Sequence, residues 1–171
     1  TVETTATLGT RKIMAFAGTL VGVGTSPTYS DNDCLVELGT LDVDPANTSL
    51  VDPSKIFIHK VVILITTTAQ NTLAGNLALS STSGTATNAA VTGTEIVGAQ
   101  VDSFNAQTSL VEGSLTEADI SFNATAGDYH VFTPNVTAPI ANKHLYARTT
   151  TTLSSAVTDG RFTVEIEYSV L

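Results

Sequence analysis

The sequence predicts an all-β fold: an antiparallel two-sheet sandwich of jelly-roll type, with about nine strands and at most one short helical turn. Three features carry this prediction. The segment "GRFTVEIEYSVL" alternates strictly, with Phe162, Val164, Ile166, Tyr168 and Val170 on one side and Arg161, Thr163, Glu165, Glu167 and Ser169 on the other. Short apolar segments recur along the chain between clusters of Pro, Gly, Asn and Asp, the punctuation of a sandwich. No segment shows the helical period that a parallel sheet would need between its strands. The chain has 171 residues, the size of one domain. Residues 11–171 are assigned to the sandwich and residues 1–10 to an arm.

The arm, "TVETTATLGT", is polar and has no apolar period. It reads either as a frayed end or as a segment ordered against a neighbouring subunit. "RKIMAFAGTLVGVG" contains Gly18, Gly22 and Gly24, which argue against a helix and for one or two strands with a bend or bulge. "TSPTYSDND" is turn chemistry, and "CLVELGTLDV" is a strand. The steps Asp44-Pro45 and Asp52-Pro53 punctuate the loop that follows. "KIFIHKVVILITTT" is the central strand. A regular alternation places Ile56, Ile58, Lys60, Val62 and Leu64 on one face, and Phe57, His59, Val61, Ile63 and Ile65 on the other. "TLAGNLALSS" carries Leu77 and Leu79 in phase, "SGTATNAAVTG" is a loop, and "TEIVGAQV" is a short strand. Ser114 with Glu117 marks the one helix-start pattern. "DISF", "DYHVF", "KHLYARTTTT" and the final segment complete the strands. The final strand is expected inside a sheet, beside "KHLYART". "ITTTAQNTLAGNLALS" and "RTTTTLSSAVTDGRFTV" share a Thr run, a polar loop and a new strand, and both read as hairpins.

Composition narrows the function. Apolar residues make up 42% and mean hydropathy is +0.22, which excludes a disordered chain. Charged residues are only 13%, and about thirty threonines fill the gap. A surface poor in long charged side chains loses little rotamer entropy when a neighbour covers it, which favours an assembled protein. Net charge is −9, and the seven basic residues are spread from Arg11 to Arg161, so a nucleic-acid patch is not expected. An acidic surface is repelled by anionic lipid, and the longest apolar run, "VVILI" at residues 61–65, is far short of a membrane span. Cys34 is the one cysteine and reads as a small buried strand residue, with an intermolecular disulfide as the alternative. The chain begins at Thr1 without a methionine, which fits a processed end or a late start, and no signal-peptide pattern is visible.

A search for chemistry assigns no catalytic, cofactor or metal residue. His59, His130 and His144 lie on separate strands without the close Cys/His spacing of zinc sites. No Gly-x-Ser-x-Gly elbow, phosphate loop or CxxC occurs. Asp31, Asp33, Asp42, Asp44 and Asp52 form oxygen-rich clusters that could hold calcium, but they lack the EF-hand pattern and read as solvated turn residues. Glu165 and Glu167 share a strand face, which glycosidase carboxylates could also do, yet no Trp supplies a sugar platform. Tyr29, Tyr129 and Tyr146 are scattered. Asn47, Asn123 and Asn135 head Asn-x-Ser/Thr triplets that a Thr-rich chain forms by chance. The expectation is a protein that is not an enzyme and needs no cofactor.

Three segments, "KIFIHKVVILITTT", "GNLALSSTSGTATN" and "NKHLYARTTTTLSSAVTDGRFTVEIEYSVL", resemble the small β-rich virion structural proteins of tailed bacteriophages, marine phages above all. The resemblance covers about the C-terminal two thirds and is one of style and segment order. It implies a capsid decoration or cement protein located at the virion surface. Its partners would be the major capsid protein and copies of itself, with a trimer as the expected homo-oligomer. It carries over no catalytic residue. The alternative is a subunit of an extracellular filament or surface layer in which the N-terminal arm is donated as a strand to a neighbour. A carbohydrate-binding module is a third reading, and it would need an aromatic or calcium site.

Overall fold

A computed structural model describes residues 11–20, 29–44, 54–69, 73–97, 120–150 and 159–171. These residues form β1 (Lys12–Thr19), β2 (Cys34–Thr40), β3 (Lys55–Thr67), β4 (Ala74–Ser80), β5 (Thr94–Val97), β6 (Ile120–Ser121), β7 (Tyr129–Phe132), β8 (Val136–Pro139), β9 (His144–Thr149) and β10 (Arg161–Val170). There is no helix among the described residues. The arm, residues 21–28, the loop containing Asn47 and Asp52, and the helical turn expected at Ser114 lie outside them.

The pairing follows from one long antiparallel hairpin wrapped on itself. β1 pairs with β10, β2 with β9, β3 with β7 and β8, and β4 with β5 and β6. Wrapping this ribbon brings β10 against β3 and β9 against β4. The result is two antiparallel sheets in the orders β1-β10-β3-β7 and β2-β9-β4-β5, which is a jelly roll. β7 and β8 share one lane along β3, against residues 61–64 and 55–58, and β5 and β6 share one lane along β4. The inner faces meet in one apolar cluster that includes Ile58, Ile63, Leu77, Leu79, Leu145, Val164, Ile166 and Tyr168.

β10 shows why alternation predicted a strand. Phe162, Val164, Ile166, Tyr168 and Val170 are buried, at no more than 3% exposure each. Their burial contributes roughly 1.5–3 kcal/mol per large side chain, as an upper estimate. Beyond β10, Leu171 exchanges backbone bonds with Lys55, at 2.8 and 3.1 Å.

Several expectations need correction. β10 does not lie beside "KHLYART": its neighbours are β1 and β3, and β9 belongs to the opposite sheet. The two Thr-rich segments do not join hairpin strands, since β3 and β4, and likewise β9 and β10, sit in different sheets. β8 is a tenth strand that the sequence reading missed. β3 does not alternate regularly. Its buried residues run Ile56, Ile58, Val61, Ile63, Ile65, and the phase changes at a β-bulge where Glu167 faces Lys60 while Tyr168 faces Ile58. His59 is the extra residue, so Phe57 and His59 turn outward with Val62 and Leu64.

Candidate functional site

Within the acidic clusters, the Asp42 and Asp33 carboxylates have partners inside the chain. Lys12 places its ammonium against Asp42 Oδ2 at 2.9 Å and donates to the backbone oxygens of Asp42 and Asp44. Bonding to Lys12 and to the Asp44 amide holds the Asp42 carboxyl below its usual range. Asp33 accepts from the Ser30 amide at 2.7 Å, in a turn where Asn32 adopts a φ of 68°. Asp52 lies outside the described residues. No three metal-ligating side chains gather among the described residues.

The three histidines occupy three separate places. His59 lies on the outer face of β3, 2.8 Å from Ser169 Oγ and edge-on to Phe57. Partial burial lowers its pKa, and Arg11 lowers it further against the opposing pull of Glu167. His130 points into the core beside Phe132, and burial pushes its pKa down to about 4. His144 starts β9 on the other sheet, 3.1 Å from Thr40 Oγ1 and 3.6 Å from Glu37 Oε1. Of the tyrosines, Tyr29 and Tyr146 are buried and Tyr129 is half-buried, so they form no aromatic platform. Asn123 accepts from the Leu73 amide and from Ser121 within the fold. Asn135 adopts a φ of 49° in the break between β7 and β8.

The two sheets differ in how their outer faces are covered. On the β2-β9-β4-β5 sheet, the β4–β5 connection, residues 81–93, crosses the outer face as a strap. Tyr146 donates its hydroxyl to Thr82 O at 2.7 Å, and Cys34, Val91 and Tyr146 form a second apolar cluster apart from the core. Cys34 is 1% exposed, and burial with Glu37 and Asp33 nearby pushes its thiol up to about 11. That is the small buried residue expected, with no accessible sulfur for a disulfide to a neighbour. Arg148, also buried, donates to Asn76 Oδ1 (2.7 Å), Val91 O (3.0 Å) and Glu95 Oε2 (3.2 Å). The strap also bonds the first residue of β2 on its free side, through Cys34 N to Ala89 O and Asn88 N to Cys34 O. Gly93 allows the close approach, because a Cβ there would lie 2.1 Å from Leu79 O.

The β1-β10-β3-β7 sheet has no such strap among the described residues. Its outer face is built in rows by the register: Ile13–Glu167–Lys60, Ala15–Glu165–Val62–Val131 and Ala17–Thr163–Leu64–Tyr129. Ile13 is 64% exposed and Leu64 37%, the two exposed large apolar residues of the described set. The same face carries Lys60, Glu165 and Glu167, and Arg11 is paired with Glu167. The sequence reading missed β1 as a surface element. The signal was present in "KIMAFAGT", where Ile13, Ala15 and Ala17 alternate with Met14 and Phe16.

The Glu165 and Glu167 side chains lie on this open sheet face, which makes no cleft between opposed carboxylates. No protein-family model matches the chain, and no curated protein matches it.

Proposed function

We propose that this protein is a structural component of a virion that decorates or cements a capsid surface through protein–protein contacts. The observation that carries this reading is the unequal cover of the two sheets: one outer face lies under the chain's own strap, and the other presents Ile13 and Leu64 to solvent. The low charge content and the abundance of threonine suit surfaces that neighbours cover. The resemblance of the segments around β3, β4, β9 and β10 to phage virion proteins supplies the capsid. In this reading the open face and residues 1–10 meet the major capsid protein or another copy. The test is co-sedimentation of the purified protein with empty shells of the major capsid protein from the same genome. Saturable binding supports the reading, and deleting residues 1–10 should weaken it without altering the circular dichroism of the domain. Absence of binding at all concentrations overturns it.

The filament or surface-layer reading stands second, because one observation favours it: an edge of the first sheet carries no partner strand among the described residues. Light scattering over a wide concentration range separates the two. Small closed oligomers support decoration, and long open polymers support the filament.

A further inference from the structure

The edge of β1 differs from the other edge on its side of the sandwich. The free side of β2 is met by the strap at its first residue, where Cys34 bonds residues 88 and 89, and β2 carries two register shifts against β9. Among the described residues β1 pairs with β10 only. Leu20 N donates to Gly160 O at 2.7 Å in the β1–β10 register, so the even-numbered residues of β1 bond to β10. The N–H and C=O groups of Ile13, Ala15, Ala17 and Thr19 therefore point away from the sheet, and among the described residues nothing pairs with them. Edge strands of free-standing sandwiches are guarded by charges, prolines or bulges. β1 has neither a proline nor a register shift, and its one charged residue, Lys12, is turned to Asp42 and Asp44.

We propose that β1 is an interface strand, paired antiparallel with β1 of a second copy about a two-fold axis through Phe16. The two β1-β10-β3-β7 sheets then run on as one. The sequence around Phe16 is self-complementary: Ala15 and Ala17 flank it, and Ile13 and Thr19 lie beyond. The dyad sets Ala15 opposite the second copy's Ala17, and Ile13 opposite its Thr19. All four are the residues with outward backbone groups, so the pairing closes about eight main-chain hydrogen bonds with no register conflict. No like charges meet, because Lys12 is held inward and Arg11 is engaged by Glu167. Exposed Ile13 gains a cross-strand neighbour on the outer face. A strand pair of this length covers less than a standard interface, so the association depends on concentration. A dyad closes at two copies, in contrast to the trimer expected from the phage resemblance.

The test uses the full chain alone, so its outcome is separate from that of shell binding. A dimer that ignores shells overturns decoration and leaves this interface standing. A strict monomer that binds shells does the reverse. Sedimentation velocity from about 1 μM to about 1 mM should show a monomer–dimer equilibrium. Amide exchange should slow at least ten-fold at Ile13, Ala15, Ala17 and Thr19 as the dimer forms, with Met14, Phe16 and Gly18 already slow in the monomer. Ala15→Pro removes an outward N–H at an edge position where proline is tolerated, and should give a folded monomer. Ala17→Lys, which guards the edge without touching the backbone, should raise the dissociation constant at least ten-fold and decides the matter if the proline variant fails to fold. Three results overturn the proposal: a monomer at the highest concentration, a closed trimer, or a folded variant that dimerises as the parent does.

Discussion

Three buried polar or titratable side chains make separable predictions. Arg148 stays charged in a dry place: burial lowers its pKa, and Glu95 and Asp31 oppose the shift. Arg148→Met leaves Glu95, Asn76 and the Val91 carbonyl without the guanidinium. Urea unfolding should show a loss of about 3 kcal/mol, partly recovered by adding Glu95→Gln. Cys34 should resist a thiol reagent such as DTNB in the folded protein and react only as fast as the chain opens, because its thiol is both covered and held up at about 11. His130 sets a pH dependence. Unfolded, it takes up a proton near pH 6.5; folded, only near pH 4, because burial disfavours the cation. Between these values the unfolded chain binds more protons, so stability rises with pH through the window and falls on acidification. The stabilisation is full above pH 6.5, and the loss across the window is roughly 3 kcal/mol. His130→Leu should flatten that slope, measured as unfolding free energy at pH 4.5 and 7; an unchanged slope would assign it to other groups.

At the scale of the element, β1 and β10 depend on a contact that only glycine permits. A Cβ at Gly18 would lie 2.3 Å from Phe162 Cζ, so the ring packs directly over the β1 backbone. Gly18→Ala should cost about 1–3 kcal/mol through displacement of that ring, and Phe162→Leu in the same chain should return part of it. β10 was legible in the sequence because one of its faces is apolar and the other polar. β3 was not fully legible. Its second half is apolar on both faces, so the pattern held no mark of the bulge at His59, and the regular alternation failed there. β8 was missed because it is four residues long and ends on Pro139. The strap was read correctly as a loop. Its cover of Tyr146 and Arg148 was not legible, because it rests on contacts between β9 and a segment over fifty residues earlier in the chain. The two Thr-rich segments read as hairpins because local turn chemistry does not record which sheet the next strand joins.

For the whole molecule, the wrapped hairpin makes the ends of the chain the last parts to be secured and the parts that hold the rest. β10 lies between β1 and β3, and its inner face fills the core against the second sheet. A chain ending at Asp159 would leave β1 without a partner and β3 with one side bare. It would also remove Phe162, Val164, Ile166 and Tyr168 from contact with both sheets. Such a truncation should lose structure throughout. Sheet two should unfold with sheet one, because the inward Leu77, Leu79 and Leu145 belong to the same apolar cluster as β10. Dispersed amide signals persisting for β4 and β9 in the truncated chain would contradict this. The same topology makes folding slow. β1 cannot pair until a partner almost the full chain length away arrives, and β2 likewise waits for β9, so loop closure comes before most of the stabilising contacts. Refolding from urea, followed by far-UV circular dichroism because the chain has no Trp, should relax on the order of seconds. A submillisecond relaxation would mean that a local nucleus forms first, the pairing of β4 with β5 being the one between consecutive strands among the described residues.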